Sequence, residues 1–288
     1  MKKVLVTGAT GNVGSRLVRE LRARDVSVRA LVRDSDGAAG KLGDGVELTS
    51  GNFSDAASVR RALEGVEGVF LACDNNPRQV EYETGVIDAA AAAGVRRIVK
   101  LSAFGAEIGS PLAFWDWHGR IEKHLRAAGI PPAVVLRPSF NMANLLGAAE
   151  QVRHEGALVA PAEGARIAMI HPRDVAAVAA VALSTDGHEG QTYVLTGPEA
   201  ITYEQVAEEL SAVAGRHIQF VAMPDEMARQ TLVRAGMPEF AAEQIVALFG
   251  ILRQGAHEHI TDTVRVMSRR EPRTFAEFAR DHARLFRA

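Results

Sequence analysis

Cysteine is almost absent: Cys73 is the single thiol in 288 residues. One thiol excludes an intrachain disulfide and a cysteine-rich metal site. An excess of either charge is also lacking, with 33 Lys and Arg against 35 Asp and Glu and a formal net charge of −2. No long basic run occurs, so the electrostatic footprint of a nucleic-acid binder is missing. No apolar run is long enough to cross a bilayer. Met1-Lys2-Lys3 leads straight into a strand-like run, without the length or cleavage site of a signal peptide. These absences point to a soluble cytoplasmic protein with neither a nucleic-acid nor a membrane partner. The length suits one domain or a closely joined pair.

Against that plain background stands Val4-Leu5-Val6-Thr7-Gly8-Ala9-Thr10-Gly11-Asn12-Val13-Gly14, an apolar run followed by three evenly spaced glycines. The run reads as a buried strand, and Ser15 to Arg24 as the helix after it. Glycines between strand and helix let the backbone turn tightly and approach a diphosphate with no side chain intervening. The phosphates would lie against free N–H groups at the positive end of the helix. Glycine triplets arise by chance, and the position at the first strand-to-helix turn is what gives this one meaning.

Residues 1–140 alternate strand-like and helix-like segments, with strands near 3–7, 27–32, 46–49, 67–72, 95–101 and 133–137. Helices are expected near 12–24, 55–64, 77–93 and 114–128, so the pattern predicts a parallel sheet covered on both faces. Gly94 and Gly129 fall where helix C-caps belong. Past residue 140 the pattern loosens into helices near 141–154, 173–184, 203–214, 224–235, 238–254 and 274–286. Short strands are expected there near 166–170, 191–195 and 217–221. The division expected is therefore a dinucleotide-binding domain over 1–140 and a substrate-binding region over 141–288.

The second strand ends in Val32-Arg33-Asp34. A strand end that reads the adenosine ribose carries an acid for the hydroxyls of NAD, or an arginine for the 2′-phosphate of NADP. Arg33 fits the phosphate, which favours NADP(H), with NAD(H) as the alternative. Asp34 could neutralise it, and a solvated surface arginine is the plainer reading. Asn52 and Phe53 follow the third strand and could touch the adenine, with Asp55 capping the next helix. Leu71-Ala72-Cys73 ends the fourth strand, where small residues would let the chain pass the nicotinamide ribose. Cys73 reads as an apolar liner rather than a nucleophile, since no histidine or cation neighbours it in sequence.

Thr7-Gly8-Ala9-Thr10-Gly11-Asn12-Val13-Gly14, Leu31-Val32-Arg33, Leu101-Ser102-Ala103 and Arg137-Pro138-Ser139-Phe140 resemble the NmrA-like family of atypical short-chain dehydrogenase/reductases. The resemblance implies a Rossmann-type doubly wound α/β fold with a smaller, mostly helical C-terminal region. It also implies cofactor contacts at Gly8, Thr10, Gly11, Asn12, Val13 and Arg33, to which Gly14 and Pro138 are added as candidates. The wider superfamily uses a Tyr-x-x-x-Lys pair on one helix face. In that register Phe114 takes the tyrosine position and His118 the lysine position, and a phenyl ring has no proton to donate. His118 and Ser102 are therefore the catalytic candidates, histidine because it titrates near neutrality. The stripe Phe114, Trp117, His118, Ile121, Leu125 equally describes a core-facing helix side.

Phe114, Trp115, Trp117, Phe140 and Met142 could line a pocket for a flat aromatic or quinone-like substrate, with helix packing as the plain alternative. His257-Glu258-His259 has no metal-site spacing, since on a helix the two imidazoles would diverge by about 200°, and no metal is expected. The function expected is hydride transfer from NADPH to a quinone, enone or aromatic ketone lodged between the sheet and the C-terminal helices. Two alternatives stay open: a redox-sensing protein that binds the dinucleotide without turnover, and a cofactor-assisted non-redox enzyme such as an epimerase. A homodimer is equally open, as is a protein partner if the chain is a sensor.

Overall fold

The computed structural model describes residues 3–287. They form two compact units. One takes the chain up to Pro138, then Pro172–Leu195 and Val266–Arg269; the other takes Ser139–His171, Thr196–Arg265 and the chain from Arg270 onward. A single cut at 140 is therefore too simple, because the chain returns to the first unit for a helix and a strand.

In chain order the first unit begins β1 (Lys3–Val6), α1 (Gly14–Arg22), β2 (Ser27–Val32), α2 (Ser35–Leu42), β3 (Glu47–Ser50) and α3 (Ala56–Leu63). It continues through β4 (Gly68–Leu71), α4 (Gln79–Ala92), β5 (Arg97–Leu101), α5 (Ala113–Ala127) and β6 (Val134–Pro138). The next stretch carries a 3₁₀ segment (Met142–Ala148), α6 (Ala149–Glu155) and β7 (Ala157–Ala160), before α7 (Pro172–Ser184) and β8 (Thr192–Leu195) rejoin the first unit. Then come α8 (Tyr203–Ala214), β9 (Gln219–Ala222), α9 (Asp225–Arg234), α10 (Glu239–Arg253), α11 (Thr263–Ser268), α12 (Phe275–Asp281) and α13 (Ala283–Phe286).

Seven parallel strands run in the order β3-β2-β1-β4-β5-β6-β8. β1 carries β2 on one edge and β4 on the other, with Val4 opposite both Val28 and Gly68. The strand order reverses there, and in such sheets ligands bind in the crevice that opens beyond the strand ends. β1 and β4 are buried nearly throughout, as continuous apolar runs demand when helices cover both faces. Leu5, Val69, Leu71, Ile87, Ile98, Ile121 and Leu125 pack into one core between the sheet, α4 and α5. Gly94 and Gly129 have φ of +72° and +68°, the left-handed geometry that ends α4 and α5.

The second unit has its own core, with Tyr203, Phe249, Phe275, Phe278 and Phe286 among its large members. Here expectation and structure part in several places. β7 is absent from the expected strands; it pairs with β9 in a two-stranded parallel sheet. The strand expected at 166–170 is reduced to isolated bridges, Asn141 with Ile170 and Ile167 with Ile201. The helix expected at 141–154 opens as a 3₁₀ segment, and that at 274–286 breaks at His282. α2 and α11 are likewise additions to the expected helices.

Candidate functional site

A cavity of about 630 Å³ opens at the strand-order reversal. The glycine loop from Gly8 to Gly14 forms its floor. Gly8 adopts φ +58°, and a β-carbon on Gly14 would lie 2.1 Å from the Gly8 carbonyl oxygen. Gly14 has no room for a side chain, and at Gly8 the left-handed backbone would strain one, which is the physical content of the glycine spacing. The loop is tied by Gly11 N–H donating to Gly8 O at 2.9 Å and by the Ser15 hydroxyl donating to Gly11 O at 2.8 Å. Thr7, almost wholly buried, fastens the end of β1 to that of β4: its one hydroxyl proton lies within reach of Phe70 O and Ala72 O, and its oxygen accepts from Ala72 N–H. α1 starts with no side-chain cap and no acid in its first turn. Among the described residues no hydrogen bond engages the N–H groups of Thr10, Asn12 or Val13. Such a loop presents bare donors and a positive helix end to an anion.

Arg33 lies on the rim, exposed, with no ion pair among the described residues. Asp34 does not neutralise it. The Asp34 carboxylate caps α2 instead, accepting from the N–H groups of Asp36 and Gly37 at 3.1 and 3.2 Å. Asn52 and Phe53 line the same side; Asn52 N–H donates to the Ser58 hydroxyl at 3.2 Å, and Asp55 caps α3 through Ala57 and Ser58 N–H. Ala72 and Cys73 line the wall at the end of β4. Burial, with the charges of Glu83 and Asp74 beside it, pushes the Cys73 thiol up to about 11, so it stays protonated and is no nucleophile at neutral pH.

Two expected cofactor contacts lie off the lining: Leu71 is wholly buried in the core, and Pro138 gives its carbonyl to Phe104 N–H. Conversely, Ala9, Leu31, Val32, Gly51, Ser54, Asp74, Asn76, Tyr82 and Leu101 line the cavity without having been singled out. Tyr82 is the notable omission. It comes from α4, meets Phe53 edge-on at 6.5 Å and carries the Arg78 guanidinium over its ring. Its signal in the sequence is weak: a single aromatic on a helix whose first turn faces the strand ends.

The catalytic candidates lie outside this lining. Ser102 donates its hydroxyl proton to Glu122 at 2.6 Å, and Glu122 also binds Arg137 and Arg126. In this arrangement the Ser102 hydroxyl ties the end of β5 to α5. His118 is buried, with Nδ1 3.3 Å from the Lys100 ammonium. Desolvation, with Lys100 and Arg137 nearby, holds His118 well below the usual imidazole range, so it is neutral rather than a ready acid. Phe114 and Trp117 are half-buried with rings 5.5 Å apart, and Trp115 lies against the bare α-carbon of Gly105. Phe140 and Met142, expected in a substrate pocket, are buried in the second unit's core, Phe140 against Phe249.

Comparison with known proteins accords with this geometry. The chain is 37% identical over 285 residues to an NAD(P)H azoreductase of Xenophilus azovorans, covering 99% of each. It is 39% identical to a (4-alkanoyl-5-oxo-2,5-dihydrofuran-3-yl)methyl phosphate reductase of Streptomyces griseus, covering 98% of this chain and 99% of that one. The NADPH-dependent quinone oxidoreductase QOR2 of Escherichia coli, solved with NADPH, superimposes with a TM-score of 0.86 at 29% identity, covering 97% of this chain and 99% of that one. A family model matches residues 1–279. The chain belongs to the NmrA-like family.

Proposed function

We propose that this protein is an NADPH-dependent reductase of small electron-poor conjugated acceptors, with quinones, enones and azo compounds ahead of aromatic ketones. The observation that carries the reading is the cavity at the strand-order reversal, floored by uncapped loop N–H groups and rimmed by an exposed Arg33 with no ion pair among the described residues. The loop is suited to a diphosphate and Arg33 to a 2′-phosphate. Support for reduction comes from relatives named as azoreductase, dihydrofuranone phosphate reductase and quinone oxidoreductase. A bound dinucleotide would supply the hydride, two electrons with one proton. The protein binds, orients and excludes water.

Quinones and azo groups suit a site with Phe114 in the tyrosine position. They accept hydride readily, and the second proton comes from water, giving a hydroquinone or a hydrazo product. His118, neutral, can hydrogen-bond the acceptor atom as charge develops on it. Ser102, engaged with Glu122, holds the end of β5 to α5.

Purified protein mixed with NADPH and a panel of quinones, azo dyes and enones, followed at the nicotinamide absorbance, tests the reading. Acceptor-dependent loss of absorbance is expected. Tight NADPH binding with no turnover on any acceptor would replace the reductase with a protein that binds the dinucleotide and senses its redox state.

A further inference from the structure

Beneath the inner wall of the cavity lies a cluster of buried polar groups: Gln79 and Glu83 on α4 and Lys100 on β5, all three fully enclosed, and His118 on α5, which keeps a small exposure. The Glu83 carboxylate receives the Lys100 ammonium at 2.7 and 3.1 Å, and the Gln79 amide donates to it at 2.9 Å. Lys100 Nζ further donates to the Leu101 carbonyl and meets His118 Nδ1 at 3.3 Å. Leu101 lines the cavity, as does Cys73, whose thiol feels the charges of both Glu83 and Lys100. The cluster thus sits directly under the cavity wall. A full ion pair in a core is seldom favourable for stability alone, since desolvating two charges offsets their attraction.

The chemistry of the donors fixes more than charge. An ammonium carries three N–H donors and no lone pair. Here the three point at a carboxylate, a carbonyl and an imidazole nitrogen, so Nδ1 of His118 must be the acceptor. A neutral imidazole with Nδ1 accepting carries its proton on Nε2. No partner for His118 Nε2 occurs among the described residues, yet it is not among the polar atoms sealed from solvent.

We propose that Lys100 is a positioning residue that fixes His118 in the Nε2–H tautomer, so that a hydrogen-bond donor rather than an acid is offered to the oxygen or nitrogen of the acceptor on which charge develops as the hydride adds. This rests on the reductase reading above. The groups facing His118 charge are Lys100 from β5, Glu83 behind it on α4, and Arg137 from β6. Both cations oppose a second proton on the ring. Glu83 holds Lys100 in place, and Gln79 holds Glu83.

Nitrogen-15 NMR of histidine-labelled protein across pH 5.5–8.5 reads the tautomer without any turnover. The expected result is an unprotonated Nδ1 and a protonated Nε2 for His118, unchanged across the range. Titration near 6.5, or a proton on Nδ1, overturns the proposal whatever the activity. Two substitutions read the donor. H118Q keeps an N–H near the Nε2 position and is expected within about 10-fold of the parent kcat, while H118F loses about 100-fold, with the KM for NADPH unchanged in both. Equal losses in the two overturn the donor role, and the parent's own turnover then shows that the reductase reading stands. K100M combined with E83Q, which leaves no unpaired buried charge, is expected to give a mixed tautomer at His118, while burial and Arg137 still hold the ring neutral. A spectrum unchanged by that pair removes Lys100 from the role.

Discussion

Each glycine of the first loop has its own steric reason, and Gly14 has the strongest. A β-carbon there would stand 2.1 Å from the Gly8 carbonyl oxygen, against backbone that cannot swing aside. Gly14→Ala is expected to cost about 1–3 kcal/mol or more and to abolish dinucleotide binding, read by urea melts and by calorimetry. Arg33 is separable from the fold, being exposed and unpaired among the described residues. Arg33→Ala should weaken NADPH about 10- to 100-fold, the worth of a charge-assisted contact, and leave NADH within a few-fold. Equal losses for both would remove the 2′-phosphate assignment. At this scale the sequence is informative where chemistry is carried by backbone and by residue type: the glycines, Arg33, Asn52, Phe53 and Cys73 all line one cavity. It is silent where a side chain's partners decide its role. Ser102 is engaged with Glu122, twenty positions away, and no local pattern could show that the Lys100 ammonium sits on His118.

His257 in the second unit gives a pH signature of its own. Burial pulls its imidazole down to about 4, and Nδ1 lies 3.0 Å from the Ser139 hydroxyl. The unfolded chain takes up a proton near 6.5 that the folded chain refuses until about 4. Stability contributed by the neutral form is therefore complete above 6.5 and lost as pH falls toward 4, with a slope up to about 1.4 kcal/mol per pH unit per histidine. Urea midpoints at pH 7 and pH 5 measure the loss, and His257→Gln should flatten the slope.

Caps decide several elements that periodicity could not. α2 is built from Ser-Asp-Gly-Ala-Ala-Gly-Lys-Leu, two glycines in eight residues, which is poor helix material. It forms because Asp34 caps it and Ala38 and Leu42 are buried. Asp55, in contrast, is legible as a cap from the amino-acid order alone, and it does cap α3. Asp55→Ala should cost about 1 kcal/mol and, by loosening the Asn52–Phe53 loop, raise the Kd for NADPH a few-fold. A lowered Tm with no change in Kd would separate the cap from the site. β7 escapes notice because Ala157-Leu158-Val159-Ala160 is only four residues long, and its partner β9 lies some sixty positions downstream. Short strands with distant partners leave no period to count.

For the whole chain, the error in the expected boundary has a plain cause. The alternation of strand and helix ends at β6, yet the sheet does not: β8 pairs with β6, Leu136 opposite Tyr193, and α7 packs on α1. α7 is buried along almost its whole length, from Pro172 to Leu183. A fragment ending at residue 140 would leave that edge bare and that face of α1 uncovered. It is expected to be unfolded or aggregated by circular dichroism and gel filtration, and a folded, monomeric fragment would contradict the partition. Ligand linkage acts on the same scale. If NADPH binds only the folded chain, saturation at 100 times Kd should stabilise it by about 2.7 kcal/mol, visible as a rise in Tm.

Whether the bare loop and Arg33 together hold a 2′-phosphorylated dinucleotide is read most directly by calorimetry of the unmodified protein with NADPH and with NADH. A single saturable site for NADPH is expected, with NADH bound at least about 10-fold more weakly. Absence of heat from either nucleotide at millimolar concentration, with the protein folded by circular dichroism, would contradict that assignment.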